Sequence, residues 1–218
     1  MISPDPSGYF VTGSDTEVGK TYIACQVVTQ LRERGFEIET RKPAESGCEL
    51  SADGKLLTHD AAALRRANGE CETIDRIAPF RYRAALAPPR AARLEHRQLY
   101  LRDLVDACSR DDPDHGLIVE GAGGFYSPLA EDALNADLAG ALQLAVIIVV
   151  NDRIGAVNQA LMALQAVESR HLRVAAIVLN QLAPGNDDAM DNAADLLPHC
   201  SHPLLRCGYG EKLPPLFD

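Results

Sequence analysis

Between the apolar run Tyr9-Phe10-Val11 and the amphipathic segment Tyr22 to Arg34 lies Gly13-Ser14-Asp15-Thr16-Glu17-Val18-Gly19-Lys20-Thr21. A glycine-rich turn that leaves a strand, enters a helix and ends in Gly-Lys-Thr is a phosphate-binding P-loop, and few folds accommodate it. Backbone N–H groups and the helix N-terminus converge there on an anion. Lys20 would neutralise the β- and γ-phosphates, and the Thr21 hydroxyl would ligate Mg²⁺. A nucleoside triphosphate is therefore expected at this end of the chain.

The loop is one residue longer than usual. Five residues separate Gly13 from Gly19, against the common four, and Ser14 holds the usual first-glycine slot. Asp15 and Glu17 lie inside it, where carboxylates repel a polyphosphate. They are expected to serve a cationic substrate or a metal instead.

Around the loop, β-prone apolar runs alternate with helical patterns. Expected strands are Tyr9–Thr12, Glu37–Arg41, Leu117–Glu120, Val146–Val150, Ala176–Leu179 and Leu204–Cys207. Expected helices are Thr21–Arg34, Asp60–Ala67, Leu99–Ser109, Ala136–Leu142, Ala156–Ser169 and Asp188–Leu197. Ile147-Ile148-Val149-Val150 is apolar at every position, the mark of a strand buried on both faces of a parallel sheet. The order predicts an α/β, doubly wound, mostly parallel sheet flanked by helices, formed as a single P-loop domain over residues 1–218. The proline-bearing stretch Ala78–Arg93 reads as a long loop.

The 218 residues carry a formal net charge of −10, which argues against a nucleic-acid partner. The longest apolar runs fall short of a membrane span. Met1 to Pro6 has neither a basic nor an apolar signal region, so the six dispersed cysteines are expected to be reduced thiols of a cytoplasmic protein.

Ligands of such sheets sit beyond the carboxyl ends of the strands. Lys42, ahead of Pro43, is either a phosphoryl-transfer lysine or a solvated strand end. Leu117-Ile118-Val119-Glu120 places a carboxylate at a strand tip, where it can reach Mg²⁺. The Gly121-Ala122-Gly123-Gly124 turn then lets backbone approach a ligand. Asp60 is a metal ligand or an acid on a helix dipole. Gly155-Ala156-Val157-Asn158 opens a helix that could hold a carboxylate or be merely capped. Asn180 offers an amide edge for adenine, or forms a turn.

Taken in order, Asp15 to Thr21, Lys42-Pro43 with Ser46-Gly47, His59-Asp60-Ala61, Val119 to Gly124, Gly155–Asn158 and Asn180 resemble the dethiobiotin synthetase family over nearly the whole chain. The resemblance implies ATP-dependent carboxylation of 7,8-diaminopelargonate with CO₂, followed by closure of the ureido ring. It implies Thr21, Asp60 and Glu120 around Mg²⁺, with Lys20 and Lys42 on phosphates and carbamate. Thr16, Glu17 and Ser46 would surround the diamine and carbamate. Asp15, Val18, Gly19, Tyr22, Gly121, Gly123, Gly124 and Asn180 would line the nucleotide. A homodimer with the active site at its interface is also implied, the substrate carboxylate lying against Gly155, Ala156, Val157 and Asn158. Three segments depart from the family pattern. Pro88-Pro89-Arg90 stands where Ser-Pro-His is frequent, and Leu205 to Gly210 replaces a Gly-Glu-Ile-Pro-like segment. Ser14 replaces a threonine.

The competing expectation is a switch-type P-loop ATPase of the class that positions chromosomes or division sites. Such proteins carry an extra lysine early in the loop, where this chain has Ser14 and Asp15. A third, an amidotransferase-linked synthetase, would need a glutaminase domain for which the length leaves no room.

Overall fold

A computed structural model describes residues 1–52, 54–184 and 189–218. The chain opens with β1 (Gly8–Gly13), the P-loop and α1 (Lys20–Glu33), followed by β2 (Ile38–Arg41). Three short strands come next: β3 (Ala44–Ser46), β4 (Glu49–Leu50) and β5 (Leu56–Leu57). Then come α2 (Asp60–Ala67), α3 (Ile74–Ile77), β6 (Phe80–Tyr82), α4 (Pro88–Leu94) and α5 (Leu101–Ala107). The second half runs β7 (Gly116–Gly124), β8 (Pro128–Ala130), β9 (Ala133–Leu134), α6 (Asn135–Leu142) and β10 (Ala145–Asn151). It ends with α7 (Ala156–Ser169), β11 (Val174–Asn180), α8 (Asn192–Leu196) and β12 (Leu204–Cys207).

Six strands form one parallel sheet in the order β12-β11-β10-β1-β7-β2. Successive side chains of a strand point to opposite faces, and here both faces are covered. Phe10, Val119, Val146, Ile148, Val150 and Leu179 pack on one side among residues of α6 and α7. Tyr9, Val11, Ile118, Ile147, Val149 and Val178 pack on the other against Ile23, Val27 and Leu31 of α1 and Leu64 of α2. This two-sided burial explains the unbroken apolar runs. Chain order reverses direction across the sheet at β1, the switch point where such folds open a ligand crevice.

The C-terminal segment seals the second face. Phe217 stacks on Tyr9 with ring centroids 5.5 Å apart. Gln30 donates to Leu213 O at 3.0 Å and accepts from Leu216 N at 2.9 Å.

Two expectations change. The stretch 78–93 is not a long loop, because Phe80–Tyr82 pairs in parallel with Ala44–Ser46 and a helix begins at Pro88. Prolines at the first helical positions lack only an N–H that would find no partner there. Glu120 is not at a strand tip either, since β7 continues through Gly124. In the region expected as a helix from Asp188, the described helix is Asn192–Leu196, and Asp188 lies outside the described residues.

Candidate active site

The P-loop leaves β1 at Gly13, and its Ser14 N–H bonds Val149 O of β10 at 2.9 Å. Asp15 turns inward on the loop itself, its Oδ1 accepting from Thr16 N at 2.7 Å. Glu17 adopts φ 56°, a left-handed conformation unfavourable outside glycine, and stays exposed. Gly19 is the helix cap at φ 86°, and a Cβ there would lie 2.1 Å from Asn180 Nδ2. That amide donates to Val18 O at 2.9 Å, so the end of β11 props the loop from behind. Lys20 folds back to donate to Asp15 O at 2.9 Å. Burial, then the nearby charge of Lys42, pulls its ammonium down to about 8.

Beyond Lys20, three charged side chains, Lys42, Asp60 and Glu120, form one cluster that the Thr21 hydroxyl joins. Arg41 and Val119 are abreast in the parallel pair β2·β7, which sets Lys42 beside Glu120. Lys42 Nζ donates to Glu120 Oε1 at 2.6 Å and lies 2.7 Å from Asp60 Oδ2. Burial alone would push this ammonium down, but Glu120 and Asp60 hold it above the ordinary lysine range. Burial opposes ionisation of Asp60, yet Lys42 and Thr21 overcome it and lower its carboxyl. Glu120, almost wholly buried, is pushed up by that burial, and Lys42 pulls it only part of the way back.

Thr21 Oγ1 lies 2.9 Å from Asp60 Oδ1 and 2.8 Å from Glu120 Oε1. One hydroxyl proton can satisfy only one of these acceptors. Glu120 Oε2 is buried with no hydrogen-bond partner. Thr21, Asp60 and Glu120 thus bring oxygen donors together, one carboxylate keeping a free oxygen, a donor set that would suit a hard cation such as Mg²⁺. Water and phosphate would complete the shell, as is usual for this ion.

The surrounding cleft holds about 650 Å³ and is lined by Thr16, Glu17, Lys42, Ser46, Asp60 and Glu120. Gly19, Lys20, Thr21, Gly123 and Ala85 to Pro88 line it too. Tyr22 and residues Gly155–Asn158 are not among its lining residues. Tyr22 instead donates to Glu211 O at 2.6 Å, fastening the C-terminal segment to α1.

Four supporting residues carry no functional signal in the local sequence. Glu45, buried on β3, accepts from His59, Asp60 and Ala61 N–H at 2.7, 3.0 and 3.0 Å and so caps α2 from a distance. Asn135 accepts from Ala122 N at 2.9 Å and donates to Ala122 O at 2.7 Å, bracing the glycine-rich end of β7. Gly124 N–H is taken by Ser127 Oγ at 2.9 Å, and Gly121 O faces Lys42 Nζ at 3.2 Å. Arg41 is fully buried between Glu39 and Glu72 and donates to Ser109 O at 3.0 Å, anchoring the strand end that carries Lys42.

With this geometry in view, a family model described as an AAA domain matches residues 7–207. The chain is 37% identical over 209 residues to the ATP-dependent dethiobiotin synthetase of Rhodopirellula baltica, covering 90% of this chain and 82% of that one. It is 40% identical over 177 residues to the synthetase of the same name from Ruthia magnifica, with 81% of each chain covered. The Anaeromyxobacter dehalogenans synthetase is 41% identical over 191 residues, covering 87% of this chain and 83% of the relative.

Proposed function

The chain belongs to the ATP-dependent dethiobiotin synthetase family, and from that premise we propose how its residues divide the reaction. An amine of 7,8-diaminopelargonate attacks CO₂ to give a carbamate. The carbamate oxygen takes the γ-phosphoryl group of ATP, and the second amine displaces phosphate to close the ureido ring.

Anionic oxygens gather at one point in every step, so preorganised cations are the main requirement. The observation that carries the reading is Lys42, held 2.6 Å from Glu120 and 2.7 Å from Asp60 at the foot of the P-loop cleft. From there it serves the carbamate and the transferring phosphoryl group, while Lys20 and the P-loop backbone from Asp15 to Thr21 hold the triphosphate. Thr21, Asp60 and Glu120 would hold Mg²⁺, which when bound neutralises charge on the β- and γ-phosphates. Thr16 and Ser46 orient the carbamate, and the exposed Glu17 pairs with a substrate ammonium. Gly123, which lines the cleft, would border the γ-phosphate, with Gly121 and Gly124 shaping the turn around it, and Asn180 and Tyr22 would serve the base from outside the cleft lining.

Residues Gly155–Asn158 fit a carboxylate site supplied across a homodimer interface. Ile154 and Met162, exposed by 81% and 63%, flank that helix start as apolar surface available for a second copy. Among the described residues no helix is long and apolar enough to cross a membrane.

Phosphate release from ATP tests the reading directly. It should require both the diamine and bicarbonate, and equal turnover without the diamine would refute it in favour of a switch ATPase.

A further inference from the structure

We propose that Lys42 is a resident cation that occupies the carboxylates of the metal site in the nucleotide-free enzyme and keeps divalent ions out until nucleotide arrives. The inference rests on the reading of Thr21, Asp60 and Glu120 as the Mg²⁺ ligands and adds a control over when they become available.

The geometry is specific. Lys42 Nζ bonds Glu120 Oε1 at 2.6 Å, the same oxygen that lies 2.8 Å from the Thr21 hydroxyl. It also lies 2.7 Å from Asp60 Oδ2, while the other oxygen of that carboxylate faces Thr21 at 2.9 Å. The ammonium and a divalent ion would therefore draw on the same two carboxylates. Lys42 is 4% exposed, so in the nucleotide-free arrangement its ammonium has the two carboxylates, rather than water, as partners. Two cations a few ångströms apart in a buried site repel strongly.

Charge counting points the same way. Lys42 with Asp60 and Glu120 leaves one net negative charge, and Lys20 beside them cancels it. A divalent ion arriving alone would add two uncompensated positive charges beside the buried Lys42 and Glu120, with only Asp60 partly open to water, which is costly. A polyphosphate arriving with the ion offers Lys42 a new anionic partner and frees the carboxylates. Metal and nucleotide should then each strengthen the other's binding, with Lys42 as the coupling element.

Mn²⁺, a paramagnetic substitute for Mg²⁺, provides the readout through titration of the full chain by electron paramagnetic resonance. Without nucleotide, Lys42→Met should bind Mn²⁺ about tenfold or more tightly than the native protein. Addition of ADP should strengthen Mn²⁺ binding to the native protein far more than to the variant. Lys42→Arg, which keeps the cation, should stay as weak as the native protein. Should Lys42→Met fail to fold, Lys42→Gln takes its place, since it can donate to both carboxylates without charge, and it should show the same gain. Equal or weaker Mn²⁺ affinity in the neutral variant overturns the proposal. Glu120→Gln separates the two layers. If it leaves Mn²⁺–ADP binding unchanged, the ligand assignment fails and the gate falls with it. If it weakens that binding while the neutral Lys42 variant behaves as native, the gate alone is wrong.

Discussion

Lys42 and Glu120 face each other across neighbouring parallel strands, Nζ to Oε1 2.6 Å, because Arg41 and Val119 are in register immediately before them. Neither side chain reaches bulk water, so each depends on the other to remain charged. Removing the cation strands a buried carboxylate, which costs about 3–5 kcal/mol. Lys42→Met should therefore lower Tm by on the order of 10 °C. Adding Glu120→Gln should recover much of that loss, a coupling visible in a double-mutant cycle by urea unfolding. Purely additive effects would mean that the pair is not what holds this corner together.

Glu45 leads to a separate expectation. Its carboxylate satisfies three N–H groups at the start of α2, the helix that presents Asp60. Glu45→Ala leaves those donors without their partner and should cost about 1–3 kcal/mol. It should also loosen Asp60, so that KM for MgATP rises more than kcat falls. Glu45→Gln keeps one acceptor oxygen and should lie between. A variant with native Mn²⁺–ADP affinity would show that Asp60 is held by other means.

The P-loop depends on the space at Gly19. Gly19→Ala would place a methyl 2.1 Å from Asn180 Nδ2 and force a left-handed φ of 86° on a residue with a Cβ. Nucleotide binding, followed by fluorescent ADP titration, should be lost. Asn180→Ala instead removes the bond to Val18 O, together with any contact to the base, and should weaken binding by about tenfold. A second substitution, Asn180→Ala, should return part of the loss in Gly19→Ala by relieving the clash.

What was legible in the sequence follows from how local each signal is. The P-loop, the two-sided strands Val146–Val150 and Ala176–Leu179, and the helix opening at Asp60 all announce themselves within a few residues. Within the cluster, Thr21 and Asp60 are readable at helix starts and Lys42 just past a strand, whereas Glu120 is readable only as an acid in an apolar run, because its strand continues to Gly124. Glu45, Asn135 and Arg41 escaped because their partners lie far along the chain. Glu45 caps a helix 14 to 16 residues away, and Asn135 braces a strand 13 residues back. The prolines of 78–93 misled for a different reason. Pro88 and Pro89 begin a helix, where proline is tolerated, whereas the same residues inside one would break it. Asp15, expected to serve a cationic substrate or a metal, also accepts from the next N–H of its own loop, a local bond that shapes the turn.

The cysteines offer a test of the packing that does not rely on activity. Burial pushes Cys108 up to about 12, burial with Glu120 nearby pushes Cys25 up to about 12, and burial with Glu45 nearby pushes Cys48 up to about 11. The thiolate is the reactive form, and raising a thiol's pKa depletes that form at neutral pH. At pH 8 a thiol titrating near 11 is ionised about one part in a thousand. Cys71, exposed beside Gly69, carries no such burial. Iodoacetamide at pH 8 should alkylate Cys71 first in the native protein, and Cys71→Ser should remove the fast phase. Cys25, Cys48 and Cys108 should label only in denaturant or as the pH climbs toward their raised values. Peptide mapping by mass spectrometry reads each site separately. Fast native-state labelling of Cys108 would show that the α5 edge of the core opens far more readily than its burial implies.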